Sequence, residues 1–332
     1  MMRDTLLKTC EKFFESREIA KEVFKWENDS LLSVCASVLM NSEKKADAAA
    51  LKACREMLKE KTGIFSNFRQ TVEAPFVSMM AVAEYPEEKL NKSLKYYEAL
   101  KQQFWGSEYL VLAASVLADS VAEWDVEKIA ARAKNIYKLM KDEHPFLTSD
   151  DDYVSAVMLA MSDKADDEAL VQEAEKAYQI LKQTFSSSND VQAAAFVLVL
   201  ALADGNVEEK CEKFVALYEA LKSAGIKYGK YYELSTLAAL SILPVSVEQM
   251  VEDMKAVDSV LVERKPYSGI FGVEKKTRLM HVAMIVSSEY AKSEDTNMAA
   301  MVGTLAMIAA QQAAMCAVIC ASAAASSAAA SN

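Results

Sequence analysis

Apolar residues along this chain fall into two kinds of segment that alternate. The first kind is apolar almost without interruption and runs through 30–40, 107–118, 151–161, 190–202 and 234–243. The second mixes apolar and charged residues with a helical period and carries a recurring heptapeptide. LysTyrTyrGluAlaLeuLys (95–101), AsnIleTyrLysLeuMetLys (135–141), LysAlaTyrGlnIleLeuLys (176–182) and AlaLeuTyrGluAlaLeuLys (216–222) set Tyr97, Tyr137, Tyr178 and Tyr218 at steps of 40, 41 and 40. Weaker copies put Arg55 before the series and Asp258 after it. A period of this length marks stacked helical units, none of which buries its apolar face alone.

Aligned on the anchor, every copy is apolar at −7, −1, +2 and +3. Position −1 holds Cys54, Tyr96, Ile136, Ala177, Leu217 and Val257; position +3 holds Leu58, Leu100, Met140, Leu181, Leu221 and Leu261. These offsets share one side of a 3.6-residue helix. Each unit therefore reads as an apolar inner helix, a turn, and an amphipathic outer helix. The predicted fold is all-α, an α-solenoid-like array of six to seven helical hairpins with a period near 40 residues. The expected organisation is a lead-in helix over 1–27, the array over 28–295, and an Ala/Met-rich capping helix with a frayed tail over 296–332. Residues 274–290 read as a seventh inner helix, with the C-terminal segment expected in the outer place beside it.

Composition agrees with this pattern. Only eight glycines and five prolines interrupt 332 residues, and 52% of the chain is apolar. The net charge of −11, with lysines interleaved among acids, leaves no basic footprint for nucleic acid. Six scattered cysteines form no CxxC pair, and the N-terminus alternates charged and apolar residues, so a reduced, cytoplasmic setting is expected.

Two sets of residues invite a functional reading. Lysine follows the anchor by four residues in five copies (Lys59, Lys101, Lys141, Lys182, Lys222). The set reads either as last-turn cations facing the helix dipole or as a cationic ladder contacting a partner, with Lys101, Lys141 and Lys182 as the test positions. The second set is Glu143, His144, Asp150, Asp151, Asp152 and Tyr153, where acids beside a histidine suit acid–base work or a divalent cation. The same acids suit a helix N-terminus. His281, in an apolar helix, reads as a packed core residue. Aromatics after the outer helices (Phe104, Phe146, Phe185, Tyr228) are expected to fold back over the turns. No HExxH, nucleophile elbow, Walker loop or GxGxxG occurs, and no cofactor is indicated.

After Asp295 no residue is charged, and Met301, Leu305, Ile308, Met315 and Ile319 recur at heptad-like spacing. Closing the array is the first reading of this segment; self-association is the second. Membrane anchorage is disfavoured, because Gln311 and Gln312 sit mid-span and basic or aromatic flanks are missing.

PheLeuThrSerAspAspAspTyr (146–153), PheArgGlnThrValGluAlaPro (68–75) and the Ala/Met/Ser-rich terminus resemble an uncharacterised family of bacterial cytosolic helical proteins of unknown function. That resemblance implies no activity and no catalytic residues. The hairpin is similar in size to HEAT and tetratricopeptide units, although the tetratricopeptide signature is missing. The reading that follows is a non-enzymatic scaffold holding a protein or peptide partner on a concave surface. The alternative is an enzyme on a helical-hairpin toroid, with an acidic, metal-assisted site around 143–153.

Overall fold

The computed structural model describes residues 3–42, 44–162, 165–200, 206–270 and 272–291. Fourteen α-helices, and no strand, occur among them. Seven form an outer layer: α1 (Asp4–Val23), α3 (Ala48–Lys61), α5 (Pro86–Lys101), α7 (Val126–Glu143), α9 (Asp167–Lys182), α11 (Val207–Ser223) and α13 (Val247–Leu261). Alternating with them in sequence are the inner helices α2 (Asp29–Asn41), α4 (Glu73–Val82), α6 (Glu108–Ser120), α8 (Tyr153–Ala160), α10 (Ser188–Leu200), α12 (Leu234–Ser241) and α14 (Lys275–Ala291).

The two layers differ as their residue patterns require. In α6 every residue from Tyr109 to Ala118 is buried, whereas α7 buries one stripe: Val126, Ala130, Ala133, Ile136 and Met140. Starts are set by side-chain caps. Asn28, Asp47, Ser107, Asp166, Asn206 and Ser246 each accept a backbone N–H from the first turn of α2, α3, α6, α9, α11 and α13 respectively. Pro86 opens α5, where its missing N–H is harmless. Gly225 ends α11 at φ +80°, a conformation that disfavours side chains.

The hairpins close into a ring. Outer helices pack in the order α1, α3, α5, α7, α9, α11, α13, and α13 returns to α1; inner α14 packs on α12, α2 and α1. Between α4 and α6 the contact includes the Ser115 hydroxyl on the Met79 sulfur. The closing seam is dense in specific contacts. Arg3 donates to Asp253 at 2.8 Å, Thr9 to Glu289 at 2.6 Å, and Arg264 to both Glu11 oxygens at 2.6 and 2.9 Å. Tyr267 meets the Ser33 hydroxyl at 3.1 Å and His281 Nδ1 at 3.0 Å. His281 is fully buried, and burial pushes its pKa down to about 3. It is the core histidine that its apolar helix predicted.

The outer place beside α14, expected for the C-terminal segment, is held by the lead-in helix α1, which packs against α13, α14, α2 and α3. Residues 296–332, read as a capping helix, lie outside the described residues. α1 is itself a copy of the repeat. Phe14 lies 41 residues before Arg55, and Phe13 at −1 and Arg17 at +3 are buried. All six residues at −1 and all six at +3 named above are buried, while those at +2 form the half-buried edge of the stripe.

The anchors share one environment. Each turn from an outer to the next inner helix sends a ring onto the anchor of the following unit: Phe68 on Tyr97 (5.2 Å, 73°), Phe104 on Tyr137 (5.8 Å, 85°), His144 on Tyr178 (4.6 Å, 57°) and Phe185 on Tyr218 (4.9 Å, 79°). At the ends of the series the Arg55 guanidinium lies over Phe24 (5.3 Å), and Tyr267 packs edge-on to Phe14 (6.3 Å). The seam between α11 and α13 departs from the rule: Tyr228 turns inward to Thr236, and Asp258 instead accepts from Arg278 at 2.6 Å. Phe146, expected to fold back over its turn, points out and is 99% exposed. His144, seven residues after Tyr137, takes the place that Phe104 and Phe185 hold in their units.

Removing the Tyr267 ring should open the closing seam. Tyr267→Ala is expected to cost about 3–5 kcal/mol of unfolding free energy, as large-to-small changes in cores do. Phe146→Ala should stay within about 0.5 kcal/mol. Urea midpoints of the two variants provide the comparison, and similar losses would show that the wedge is not what closes the ring.

Candidate functional site

All outer-to-inner turns lie on one rim of the ring, where the inner helices begin. Each turn has a second member besides its inward ring. Trp26, Ile64 with Phe65, Trp105, Phe146, Tyr231 and Ile270 are exposed in six of the seven turns. The remaining turn, 183–187, carries no large apolar residue besides the buried Phe185. These side chains do no packing within the chain, and the opposite rim exposes two of the same kind, Tyr85 and Trp124. The inward ring holds the turn while its neighbour is presented to solvent, as with buried Phe104 beside Trp105, which is 86% exposed. Gly106 is needed here, because a Cβ would lie 2.8 Å from the Tyr97 hydroxyl.

Carboxylates stand between these side chains at the first turns of the inner helices. Glu108 accepts the Val72 N–H at 2.8 Å, and Glu233 accepts the Tyr231 N–H at 3.0 Å. Burial, aided by a neighbouring acid, raises the pKa of Glu27 (Glu73), Asp190 (Asp151) and Glu233 (Asp190). Burial also raises Glu108. Glu73 is buried and paired with Arg55 at 2.6 Å.

The 143–153 cluster does not converge on one point. Asp152 turns back to accept the Ser149 N–H at 3.0 Å in a capping box, and Asp151 takes the Ser149 hydroxyl and the Asn189 amide. Burial, then Asp151 and Asp150, pushes the Asp152 pKa from 3.8 to about 8. Tyr153 packs on Phe104 and Tyr137, and its phenol meets the Trp105 backbone, joining adjacent turns. His144 points the other way, to Glu175 at 2.6 Å. With Glu143, Tyr178 and the buried, unpartnered Gln192 Oε1 it lines a small cleft between α7, α9 and α10. Among the described residues no three His, Cys, Asp or Glu side chains are grouped so as to hold a metal ion. The arrangement is capping chemistry with a cleft beside it.

The lysines are engaged within their own hairpins. Lys141 donates to the Thr148 carbonyl at 2.9 Å and Lys182 to the Ser186 carbonyl at 2.7 Å, which fixes the turns that carry the rim. Lys59, Lys101 and Lys222 pair with the acids three residues earlier, and Lys101 also lies 5.5 Å from the centre of the Tyr97 ring. What sequence reasoning missed is the outward set of Trp26, Phe65 and Trp105. Each could have been found as the large apolar residue left over once the repeat had assigned one ring per turn to the core.

The raised Asp152 pKa has a signed consequence. Between 3.8 and about 8 the folded chain holds a proton that the unfolded chain releases, so stability falls as pH rises through this window. Asp152→Asn keeps an acceptor for Ser149 and removes the titration. The slope of urea midpoint against pH between 6.5 and 8.5 is expected to be shallower in the variant; equal slopes would place the proton elsewhere.

No helix among the described residues is long and apolar enough to cross a membrane. No curated protein and no solved structure matches the chain. One family model, described as a protein of unknown function (DUF4003), matches residues 17–313. That match begins inside α1 and spans the rest of the ring, and the chain belongs to the DUF4003 family.

Proposed function

We propose that the protein is a non-catalytic binding ring that takes a flexible, Lys/Arg-bearing peptide segment of a partner protein on its turn-bearing rim. Closure removes the open concave face that a solenoid would offer, and the turn-bearing rim carries most of the large apolar side chains that meet solvent among the described residues. The observation that carries the reading is the sector between α5 and α10, where exposed Trp105 and Phe146 stand among Glu108, Asp150, Asp151 and Asp190. The three turns of this sector (102–107, 144–149 and 183–187) contain no Lys or Arg. An aromatic face attracts a cation by about 0.5–2 kcal/mol, and carboxylates nearby add charge complementarity. Acids committed to capping, as Asp151 and Asp152 are, argue against an acid–base role for the same cluster.

The test is fluorescence anisotropy with labelled twelve-residue peptides, one alternating Lys and Leu and one alternating Glu and Leu. The cationic peptide should bind, more weakly as salt is raised. The double variant Trp105→Ser/Phe146→Ser should bind it at least about 10-fold more weakly, the range expected for central aromatic contacts. Equal binding of both peptides, or a double variant indistinguishable from the parent, would remove the support for this reading.

A further inference from the structure

Two departures from the repeat meet in one place. His144 stands where Phe104 and Phe185 act as wedges, and Gln192 stands in α10 where the repeat has an apolar residue. The Ser107 and Ser187 carbonyls accept the N–H of Val111 and Val191, so Leu112 of α6 is the counterpart of Gln192. Gln192 is 3% exposed, among the buried apolar residues Val191, Ala194, Ala195 and Phe196. Its amide has a fixed sense. The Thr148 hydroxyl gives its proton to the Met140 carbonyl at 3.1 Å and so receives the Gln192 Nε2–H at 3.4 Å, which leaves Oε1 as the end turned to the cleft. Oε1 is buried and unpartnered. A buried acceptor left unpaired carries its full desolvation cost, which a donor entering the cleft removes.

The lining says what kind of donor fits. Glu143, which is exposed, and Glu175 stand on the solvent side, and no lysine or arginine lines the cleft. Buried Tyr178 and Phe196 offer rings, and Met140 and Val171 make the walls apolar. A cation on an apolar stem matches this set, its head drawn by carboxylates and rings and its stem covered by the walls. An ammonium suits it better than a guanidinium. Both Glu175 oxygens already accept, from His144 Nε2 and from Gln179, each at 2.6 Å, so this partly buried carboxylate has no free edge for a planar fork. An ammonium needs only separate acceptors at different angles, and Gln192 Oε1 and the Glu143 carboxylate are such a pair.

We propose that this cleft is a binding site for a primary ammonium on a short apolar stem, and that its ligand is a lysine side chain of the segment held on the rim. Gln192 Oε1 accepts from the ammonium, and Glu143 supplies charge attraction at the entrance. The source of the lysine rests on the function proposed above; the chemistry of the cleft does not. Placement supports that source. Outer helices end and inner helices begin on the turn-bearing rim, and Glu143, His144, Tyr178 and Gln192 all lie close to those ends. Exposed Phe146 follows His144 in the same turn, so a segment lying on the rim has the cleft beside it. The partner would then be fixed at one point by lysine rather than by either basic residue.

Histidine NMR on the full chain tests this, because the chain has only two histidines. His144 lines the cleft, and His281, fully buried in the closing seam, reports on the fold. The protein, carrying isotope-labelled histidine, is titrated with n-butylammonium, n-butylguanidinium and n-butanol. Butylammonium should move the His144 ring signals with a dissociation constant of about 1–10 mM, in keeping with so few heavy atoms, and leave His281 in place. The other two probes should bind at least about 10-fold more weakly. Gln192→Leu, which installs the residue found at Leu112, should weaken butylammonium at least about 10-fold with His281 unmoved. Glu143→Gln, at an exposed position, should weaken it about 2- to 5-fold. Equal responses to the three probes, a silent His144, or parental binding by Gln192→Leu each overturns the site. The alternating Lys and Leu peptide is the second arm: it should move the same His144 signals, and a matched Arg and Leu peptide should not. If neither peptide binds while butylammonium does, the rim reading fails and the ammonium site stands. If the Lys peptide binds without moving His144, the lysine assignment is overturned and the cleft belongs to a free amine.

Discussion

A ring laid across the next unit's anchor holds this molecule together. Each hairpin alone would leave the stripe of its outer helix half covered, and the neighbour covers the rest. The wedge sets the angle at which that neighbour arrives: Phe68, Phe104, His144 and Phe185 each come from the turn after an outer helix and land on the same anchor position. Edge-on aromatic pairs add about 0.5–1.5 kcal/mol beyond the area they bury. That increment is modest at one seam and decisive when repeated around a closed array. Because the wedge belongs to the turn, the turn is rigid, and whatever lies beside the wedge is displayed at a fixed place on the rim.

The closing seam reaches the same result with different chemistry. Arg17, 1% exposed, stands where other outer helices have leucine or methionine, and its guanidinium bonds Asp29. That pair lies within the first hairpin, and Asp29 reaches solvent; the first and last hairpins are joined by Arg3 with Asp253, Thr9 with Glu289 and Arg264 with Glu11. The neutral His281, the Tyr267 phenol and the Ser33 hydroxyl continue that polar line across α14, the last turn and α2. Seams inside the array, between units that the chain already tethers, combine the wedge with ion pairs such as Arg132 with Asp167 and Lys61 with Glu87. The closing seam joins segments some 250 residues apart, and hydrogen-bonded groups give it specificity as well as area.

How much of this was legible in the chain depends on residue size. The period, the two kinds of helix and the −1 and +3 stripes were readable because large apolar residues recur there. The equally buried −4 position went unremarked, since Ser93, Ala133 and Ala174 carry little hydrophobic signal beside Leu51, Phe214 and Met254. α1 was not recognised as a copy because Arg17 replaces the expected apolar residue and Glu18 the expected lysine. The turns were hardest. Phe104 and Trp105 are adjacent and both aromatic, and only the backbone path decides which is core and which is rim. His144 and Phe146 were exchanged for the same reason, since composition favoured the phenylalanine as the wedge. Ring closure leaves no local mark at all, because it follows from the sum of small rotations at seven seams.

That closure also governs how relatives of this chain can vary. An open array gains or loses a module at its end and sacrifices one interface. A closed seven-fold circle must keep each step near about 51°, and an eighth module would force every junction to about 45° at once. Module number is therefore quantised here, and length variation among such chains is channelled into the turns, which can lengthen without disturbing the angular register.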